Sequence, residues 1–208
     1  MVKDSPFEIV GKPRELFRGK WLYVKEIQFK RQNSDRIQEW ECAFRTTRVN
    51  HEKPDGVDVI ATLRKNNKRY FILIKQYRFP MEGYCLEFPA GLVDPDESVI
   101  EAGLRELKEE TGYTSNTVVS CSSGNQPLDP GLSNDCVNFI TVEVDGDAEE
   151  NRNPKQKLEE GEAINVELVE CEKLLDHLNS VSGSVHIEAM LYSFATGFHL
   201  GCSFNPTV

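Results

Sequence analysis

The chain has 208 residues, and 39% of them are apolar, which at this length is enough for one packed domain with an extension. With 24 Lys and Arg against 34 Asp and Glu, the formal charge is −10. This charge argues against nucleic-acid binding, because that binding uses a basic surface to release phosphate counterions. It is compatible with a small anionic ligand if a divalent cation is bound beside it. The acidic residues could therefore form only a solvated surface, or they could also include a metal site.

The sequence shows no targeting or membrane signal. No apolar run reaches the roughly 18 residues of a membrane-spanning helix, and residues 1–20 lack the apolar stretch of a secretory signal. The six cysteines are scattered, and the four histidines show no zinc-ligand spacing. We therefore expect free thiols in a reducing compartment, a cytoplasmic location with the nucleus as an alternative, and no membrane partner.

The first elements along the chain are predicted to be a tail and two antiparallel hairpins. Residues 1–18 are predicted to be the N-terminal tail. Residues 20–30 and 36–47 carry strand-like apolar residues on either side of a polar turn. Residues 57–63 and 70–76 are short apolar runs with β-branched residues, which favours strands over helix.

The next element is predicted to be a helix with a marked start and end. Residues 94–97, Asp-Pro-Asp-Glu, offer an N-cap, a proline at the first helical position and a capping glutamate. Gly112 stands where a glycine would end the helix. An apolar stripe is spaced to pack inward and consists of Ile100, Leu104 and Leu107.

The rest of the chain predicts further strands and two helices. We expect strands at residues 118–120, 137–144 and 163–169, and helices at residues 171–178 and 187–198. Residues 145–161 are charged and nearly free of large apolar side chains, so we expect a mobile loop there. Because strands and helices do not alternate regularly, the sequence favours an α+β fold over a doubly wound sheet.

Three carboxylates crowd one side of the predicted helix. Glu106 and Glu110 are four residues apart, and Glu109 falls on the same side. Carboxylates this close repel one another unless a cation lies among them, and Arg105 offsets part of that repulsion. A solvated acidic face and a Mg²⁺ site both fit this spacing, because Mg²⁺ binds one or two carboxylates together with substrate phosphates.

A longer pattern around these carboxylates favours the metal site. Gly91, five residues, Glu97 and seven more residues lead into residues 105–113, Arg-Glu-Leu-Lys-Glu-Glu-Thr-Gly-Tyr. This pattern resembles the Nudix box at each fixed position, with Tyr113 where smaller aliphatic residues are common. The resemblance implies a Nudix fold, an α/β/α sandwich of mixed sheet and helices with an N-terminal antiparallel β extension. It also implies Mg²⁺-dependent cleavage, with Mn²⁺ as a substitute, of a nucleoside diphosphate linked to another group.

The resemblance also implies which residues hold the metal ion. Glu106 and Glu110 would bind it directly, and Glu109 would be a third carboxylate of the site. The backbone carbonyl of Ala90, just before the box, would complete the ligand set. These three glutamates therefore belong to both the predicted metal site and the predicted catalytic set.

A catalytic base is expected outside the box. Enzymes of this family branch use a glutamate on a mobile loop ahead of a strand, and Glu162 matches that position as a catalytic and metal-site residue. It would orient or deprotonate the attacking, metal-activated water. Glu159 and Glu160 are close enough in the sequence to remain alternatives.

Residues outside the box resemble the ADP-ribose and ADP-sugar pyrophosphatase branch of the family. The resemblance rests on residues 40–48, 55–57, 75–80, 87–91 and 129–133, in that order. It implies that ADP-ribose is cleaved to AMP and ribose 5-phosphate by a homodimer that exchanges N-terminal strands. Residues 19–54 would then be a dimer-forming β segment, and residues 55–208 the Nudix hydrolase domain.

The same resemblance implies a substrate-binding set. Two tryptophans would sandwich the adenine, two arginines would hold the diphosphate or the terminal ribose, and a Pro-Gly loop would contact that ribose. The full set is Trp21, Trp40, Glu41, Arg45, Arg78, Leu92, Asp129 and Ser133.

Two alternatives stay open. The first is a Nudix pyrophosphatase for another nucleoside diphosphate derivative, such as an 8-oxoguanine nucleotide or a different sugar nucleotide. The second is a non-catalytic Nudix module that binds ADP-ribose. Such modules usually lose carboxylates of the box, and this chain keeps all of them, which favours an enzyme.

Overall fold

The structure is a computed structural model that describes residues 5–48 and 53–204. The chain forms two compact units. The small unit takes its residues from Met1–Asp55 and Gly124–Val137, and the large unit from Gly56–Ser123 and Asn138–Val208.

The small unit is built around an antiparallel sheet. Its strands are β1 (Phe7–Ile9), β2 (Arg14–Arg18), β3 (Leu22–Arg31) and β4 (Ile37–Arg45). Strand β3 pairs with each of the other three, and its pairing with β4 confirms the first predicted hairpin. Where the structure describes the segment predicted to be a tail, residues 1–18, it contains β1 and β2, which add to the free edge of β3.

A further short strand lies in the small unit. Strand β10 (Gln126–Pro127) pairs with the first two residues of β11 (Cys136–Asp145), which then continues into the large unit. At this place the Asp55 carboxylate accepts the Cys136 amide at 3.0 Å and pairs with Arg48 at 3.2 Å. The carboxylate thereby satisfies a buried main-chain donor that would otherwise be costly.

The large unit contains a mixed sheet. Besides β11, its strands are β5 (Gly56–Lys65), β6 (Lys68–Arg78), β7 (Gly83–Glu87), β8 (Ala90–Leu92), β9 (Thr117–Cys121), β12 (Ile164–Glu170) and β13 (His186–Ile187). The order is β11-β5-β6-β7-β13, with β8 beside β5, β9 beside β11 and β12 beside β6. Strands β13 and β7 are parallel, whereas β6 runs antiparallel to β5, β7 and β12. The predicted hairpin at residues 57–76 is confirmed by β5 and β6.

Helices cover both faces of this sheet. They are α1 (Val99–Thr111), α2 (Leu174–Val181) and α3 (Ala189–Phe204). On β6, Ile72 packs in a core cluster with α1, whereas its neighbours Phe71 and Leu73 pack with α2 and α3. Successive strand residues point to opposite faces, so the helices lie on opposite sides of the sheet. The α+β, α/β/α prediction is confirmed. In the described ranges, none of the helices is long and apolar enough to cross a membrane.

Helix α1 begins later than predicted. Its N-cap is Ser98, whose hydroxyl accepts the Glu101 amide while the Glu101 carboxylate accepts the Ser98 amide. This reciprocal capping box satisfies two free donors of the first turn, so the helix does not start at residues 94–97. Gly112 ends the helix in the left-handed region at φ 76°, as predicted.

The segment predicted to be a mobile loop is partly held in place. Residues 149–151 form a 3₁₀ turn, and Asn151 is buried. Its amide group donates to the carbonyls of Thr114 and Asp145 at 3.0 and 2.9 Å, and its oxygen accepts the Thr114 amide at 2.8 Å. The first part of the segment is therefore fixed by hydrogen bonds that no apolar pattern would indicate.

Candidate active site

The acidic face of α1 is organised by one arginine. Nη1 of Arg105 lies 2.7 Å from a Glu106 oxygen and 3.2 Å from a Glu109 oxygen. On its other side, Arg105 donates to both oxygens of Glu97 at 2.9 Å and to the Leu92 carbonyl at 3.0 Å. The bonds to Glu97 contribute most to the raised pKa of Arg105. Arg105 therefore supplies the cation that the crowded carboxylates require, and it also connects α1 to β8.

Glu110 is the most buried carboxylate of this face, with 3% of its surface exposed. Its Oε2 accepts the Ala90 amide at 2.9 Å. Burial, together with the charges of Glu106 and Glu162, raises the pKa of Glu110 to about 8, although the hydrogen bond from Ala90 lowers it. Burial also raises the pKa of Glu106. A bound cation would reverse this effect, because it favours the ionised form of both groups.

Gly91 allows the backbone of β8 to pass directly over α1. A Cβ atom at this position would lie 1.9 Å from Oε1 of Glu106, far inside any real contact. A side chain at this position would therefore displace the Glu106 carboxylate, which gives a reason for glycine as the first residue of the predicted box. The close approach brings the backbone of Ala90 and Gly91 to the carboxylates of Glu106 and Glu110.

Glu162 lies on the turn before β12 and reaches the same cluster electrostatically. Burial is the main cause of the raised pKa of Glu106 and of Glu110, and the charge of Glu162 adds to it at both groups. The Glu162 carboxylate accepts the Glu159 amide at 2.8 Å, and its own amide donates back to the Glu159 carbonyl at 3.1 Å.

The donor set of this cluster suits a hard divalent ion. Carboxylates of Glu106, Glu109 and Glu110 and a backbone carbonyl at Ala90 are all oxygen donors of the kind that Mg²⁺ and Mn²⁺ bind. Among residues 5–48 and 53–204, no three acidic, His or Cys side chains already surround one point as ligands. The reason is local, because Arg105 engages two of the glutamates and the Ala90 amide engages the third. On metal binding, the three glutamates would release Arg105 and the Ala90 amide and bind the ion instead.

Arg78 has a buried acidic partner, Glu87, to which the sequence analysis assigns no role. Its Nε and Nη2 donate to the two oxygens of Glu87 at 3.0 and 2.5 Å. This pair contributes most to the raised pKa of Arg78. Nearby, burial and the charges of Asp58 and Glu87 raise the pKa of Glu188 to about 8. Two signals in the sequence point to Glu87: it is a carboxylate at the end of a largely apolar strand, and it begins residues 87–91 of the family resemblance.

The two tryptophans of the predicted adenine site lie far apart on the small unit's sheet. Trp40 pairs with Ile27 across β3 and β4, whereas the carbonyl of Trp21 accepts the Thr46 amide beyond the other end of these strands. Six residues of β3 separate the two positions, which is about 20 Å of extended chain. Trp21 and Trp40 are 63% and 51% exposed. One chain therefore does not bring both rings onto a single base.

The loop at residues 129–133 lies beside β4, within the small unit. Trp40 donates from Nε1 to the Gly131 carbonyl at 3.1 Å, and Ala43 forms a bridge with Ser133. The Asp129 carbonyl accepts the Ser133 amide at 2.8 Å, which closes the loop. The structure thus brings Trp40, Asp129 and Ser133 together.

The remaining predicted substrate residues are dispersed. Arg45, at the end of β4, is paired with Asp135 at 2.7 Å. Glu41 faces Glu26 across β3 and β4. Leu92 ends β8 in the large unit, where its carbonyl is bound by Arg105 and its side chain is 40% exposed.

Comparison with known proteins identifies the family. The model of the NUDIX domain matches residues 52–187. The chain belongs to the Nudix family. This Nudix protein is 37% identical to a mouse protein named ADP-sugar pyrophosphatase, over 92% of this chain and 88% of the relative. It is 42% identical to a Saccharomyces cerevisiae protein named ADP-ribose pyrophosphatase, over 76% of this chain and 68% of the relative.

A solved structure supports the same fold. A structure described as an ADP compounds hydrolase covers 98% of each chain with a TM-score of 0.69, at 21% sequence identity. That likeness concerns the fold alone. Together with the domain match, it confirms the Nudix fold and the resemblance inferred from residues 91–113.

Proposed function

We propose that this Nudix protein is an ADP-ribose pyrophosphatase that hydrolyses ADP-ribose to AMP and ribose 5-phosphate and also accepts related ADP-sugars. One observation carries the proposal: all carboxylates of the box are present, with Glu106, Glu109 and Glu110 on one helix, in a chain that is 42% identical to an ADP-ribose pyrophosphatase. The same completeness speaks against a non-catalytic binding module.

A divalent ion, Mg²⁺ with Mn²⁺ as a substitute, fits the oxygen donors of Glu106, Glu109, Glu110 and Ala90. When bound, the ion would neutralise diphosphate charge and acidify water. Arg105 and Glu97 would keep α1 against β8 so that these donors stay aimed at one place.

Other residues would bind the substrate and accept the proton of the attacking water. Glu162 would orient the attacking water and accept its proton, since it lies close enough to influence the pKa of both Glu106 and Glu110. Arg78 would bind the diphosphate through its guanidinium, which Glu87 holds in a fixed orientation. Asp129 and Ser133 would contact the terminal ribose.

The reaction is tested by comparing three substrates with Mg²⁺ present. We expect AMP from ADP-ribose, and much slower cleavage of UDP-glucose and of an 8-oxoguanine nucleoside diphosphate. A preference for either of the latter would assign the chain to another Nudix substrate. Tight ADP-ribose binding without AMP release would indicate a binding module.

We further propose that the protein is a homodimer in which each adenine lies between Trp21 of one copy and Trp40 of the other. Two rings that sandwich a base are separated by roughly 7 Å, whereas the two positions in one chain are about 20 Å apart along β3. An apolar face of the small unit's sheet supports association, since it leaves Phe7, Ile9 and Trp40 about half exposed.

Mixing two variants tests this arrangement. Trp21→Ala and Trp40→Ala chains, unfolded together and refolded, would give half mixed dimers, each with one intact site. At ADP-ribose concentrations well below KM, where each variant alone is nearly inactive, we expect about a quarter of wild-type activity from the mixture. If both tryptophans served one site within one chain, mixing would restore nothing.

We also propose a cytoplasmic protein, with the nucleus as an alternative, that binds neither nucleic acid nor membrane. The charge of −10 and the six free thiols support this proposal. A division into residues 1–18, 19–54 and 55–208 is proposed as the functional organisation. Limited proteolysis would test it, because cleavage near residue 54 should release a stable C-terminal fragment.

A further inference from the structure

The loop that carries Glu162 is anchored to α1. Residues 152–163 connect the 3₁₀ turn to β12 and contain no helix or strand of their own. Loops of this length without secondary structure are uncommon in compact domains and are often functional. Two residues near the middle of this loop, Gln156 and Lys157, bond to the end of the helix that bears the acidic cluster.

These bonds satisfy carbonyls that the helix leaves free. The last four carbonyls of an α-helix have no partner within it. The Gly112 amide donates to the Lys108 carbonyl at 2.8 Å, and the Lys157 amide donates to the Glu109 carbonyl at 2.8 Å. The side-chain amide of Gln156 donates to the Glu110 carbonyl at 2.6 Å. The loop therefore supplies two of the three donors.

The passage of the loop over the helix end depends on Gly112. A Cβ atom on Gly112 would lie 2.2 Å from the Lys155 nitrogen and 2.7 Å from the Pro154 carbonyl carbon. Gly112 is thus required twice, once for its left-handed φ of 76° and once for the close approach of residues 154 and 155. The anchoring of the loop is built into the helix terminus.

Gln156 makes a second bond that joins the two ends of the segment bearing Glu162. Its Nε2 atom also donates to the carbonyl of Ile164, the first residue of β12, at 3.2 Å. One nitrogen therefore connects the end of α1 to the start of β12, and residues 157–163 form a loop closed at its base. Glu162 lies two residues before this junction.

We propose that Gln156 is a positioning residue that acts through Glu162. By closing the base of the loop, its side-chain amide limits the positions that the Glu162 carboxylate can reach relative to Glu106 and Glu110. This inference rests on the proposed function, because positioning matters to the rate only if Glu162 is the catalytic base. The bond from the Glu159 amide to the Glu162 carboxylate would then orient the group locally within the closed loop.

The first test uses Gln156→Met, which keeps the length of the side chain and removes the amide. We expect kcat for ADP-ribose to fall about five- to tenfold, with KM changed less than twofold. A less ordered catalytic base slows the hydrolysis step but does not weaken substrate binding. Lys155→Met is the matched control, since the Lys155 side chain is exposed. It should leave both constants unchanged.

A double-mutant cycle with Glu162→Gln separates positioning from a general structural role. If Gln156 acts through Glu162, the Gln156→Met change should lower kcat less than twofold once Glu162 has been replaced. A loss of the same factor in both backgrounds would overturn the proposal. It would show that Gln156 supports α1 or the fold independently of the base.

Hydrogen exchange provides a readout that does not depend on activity. In Gln156→Met, the amides of Lys157 and Glu162 should exchange about tenfold faster, while that of buried Leu107 in α1 stays unchanged. Unchanged exchange at Lys157 and Glu162 would overturn the proposal. Failure of the proposed function would appear separately, as absence of AMP with wild-type protein.

Discussion

The charged site of the large unit and the aromatic site of the small unit are built in opposite ways. Glu106, Glu109 and Glu110 on α1 each already have a partner in their own unit, supplied by Arg105 or by the Ala90 amide. Trp21 and Trp40 are more than half exposed and lie about 20 Å apart along β3. In the proposed function, the residues for cleavage therefore lie in a single chain, whereas the two tryptophans can enclose the base only with a second copy.

The largest expected effect on activity comes from removing one carboxylate of the charged site. Glu110→Gln should lower kcat by roughly a thousandfold or more, because it removes one charged donor from the metal site. Folding should be nearly unaffected. Glutamine is isosteric with the protonated form that predominates at neutral pH when the pKa is about 8, and it can still accept the Ala90 amide.

The measurement is single-turnover hydrolysis together with urea unfolding of the same preparations. Glu143→Gln, on an exposed position of β11, serves as the matched control and should behave as wild type. Retained activity in Glu110→Gln would place the metal elsewhere.

Substitution of Trp40 should weaken substrate binding and leave the rate of hydrolysis nearly unchanged. Trp40→Ala should raise KM for ADP-ribose about 10- to 100-fold, since stacking of a base on an aromatic side chain contributes about 1–3 kcal/mol. Its effect on kcat should be small, because Trp40 lies in the unit without the carboxylates. Trp40→Phe, which keeps a ring, should recover most of the loss. A fall in kcat at unchanged KM would contradict the division of roles.

Metal affinity should depend on pH in the charged site. Because burial raises the pKa of Glu110 to about 8, binding below that pH must displace a proton. We expect the Mg²⁺ affinity to fall about tenfold per pH unit from pH 8 to pH 6 and to level off above pH 8. Isothermal titration calorimetry would measure this, and Glu110→Gln should lose most of the dependence.

The raised pKa of Glu110 also determines how the free energy of unfolding changes with pH. The folded protein holds the Glu110 proton up to about pH 8, whereas the unfolded chain releases it near the ordinary glutamate pKa of 4.5. Without metal, the free energy of unfolding should therefore decrease as pH rises from about 4.5 to 8. Bound Mg²⁺ should offset the decrease that Glu110 causes. The decrease caused by the raised pKa of Glu188 should remain.

The smallest effect concerns the start of α1. Ser98→Ala removes the capping hydroxyl and should lower the free energy of unfolding by about 1 kcal/mol, with little change in kcat. Ser98→Asp keeps a capping oxygen and should restore stability. A large loss of activity in Ser98→Ala would mean that the carboxylate cluster is less rigid than its contacts indicate.

The catalytic cluster was readable from the sequence because its residues are close together in the chain. Gly91, Arg105 and Glu110 fall within one short pattern, and Gly112 marks the helix end through its left-handed φ. The start of α1 was placed too early, because the Ser98 and Glu101 capping box outcompetes the Asp-Pro sequence before it.

Other features depend on contacts between distant residues. Strands β1 and β2 were not predicted because both are exposed and are recruited by pairing with β3. Gln156 reaches a carbonyl 46 residues away, and no local pattern encodes that bond. The separation of Trp21 from Trp40 follows from the register of β3 and β4, which composition does not reveal.

The most direct test is hydrolysis of ADP-ribose in ¹⁸O-labelled water with Mg²⁺, followed by mass spectrometry of the products. We predict AMP and ribose 5-phosphate in equal amounts, with one ¹⁸O atom in only one of them, and neither product from Glu110→Gln. Absence of AMP from the wild type, or equal activity in Glu110→Gln, would contradict the assignment of this helix as the catalytic centre.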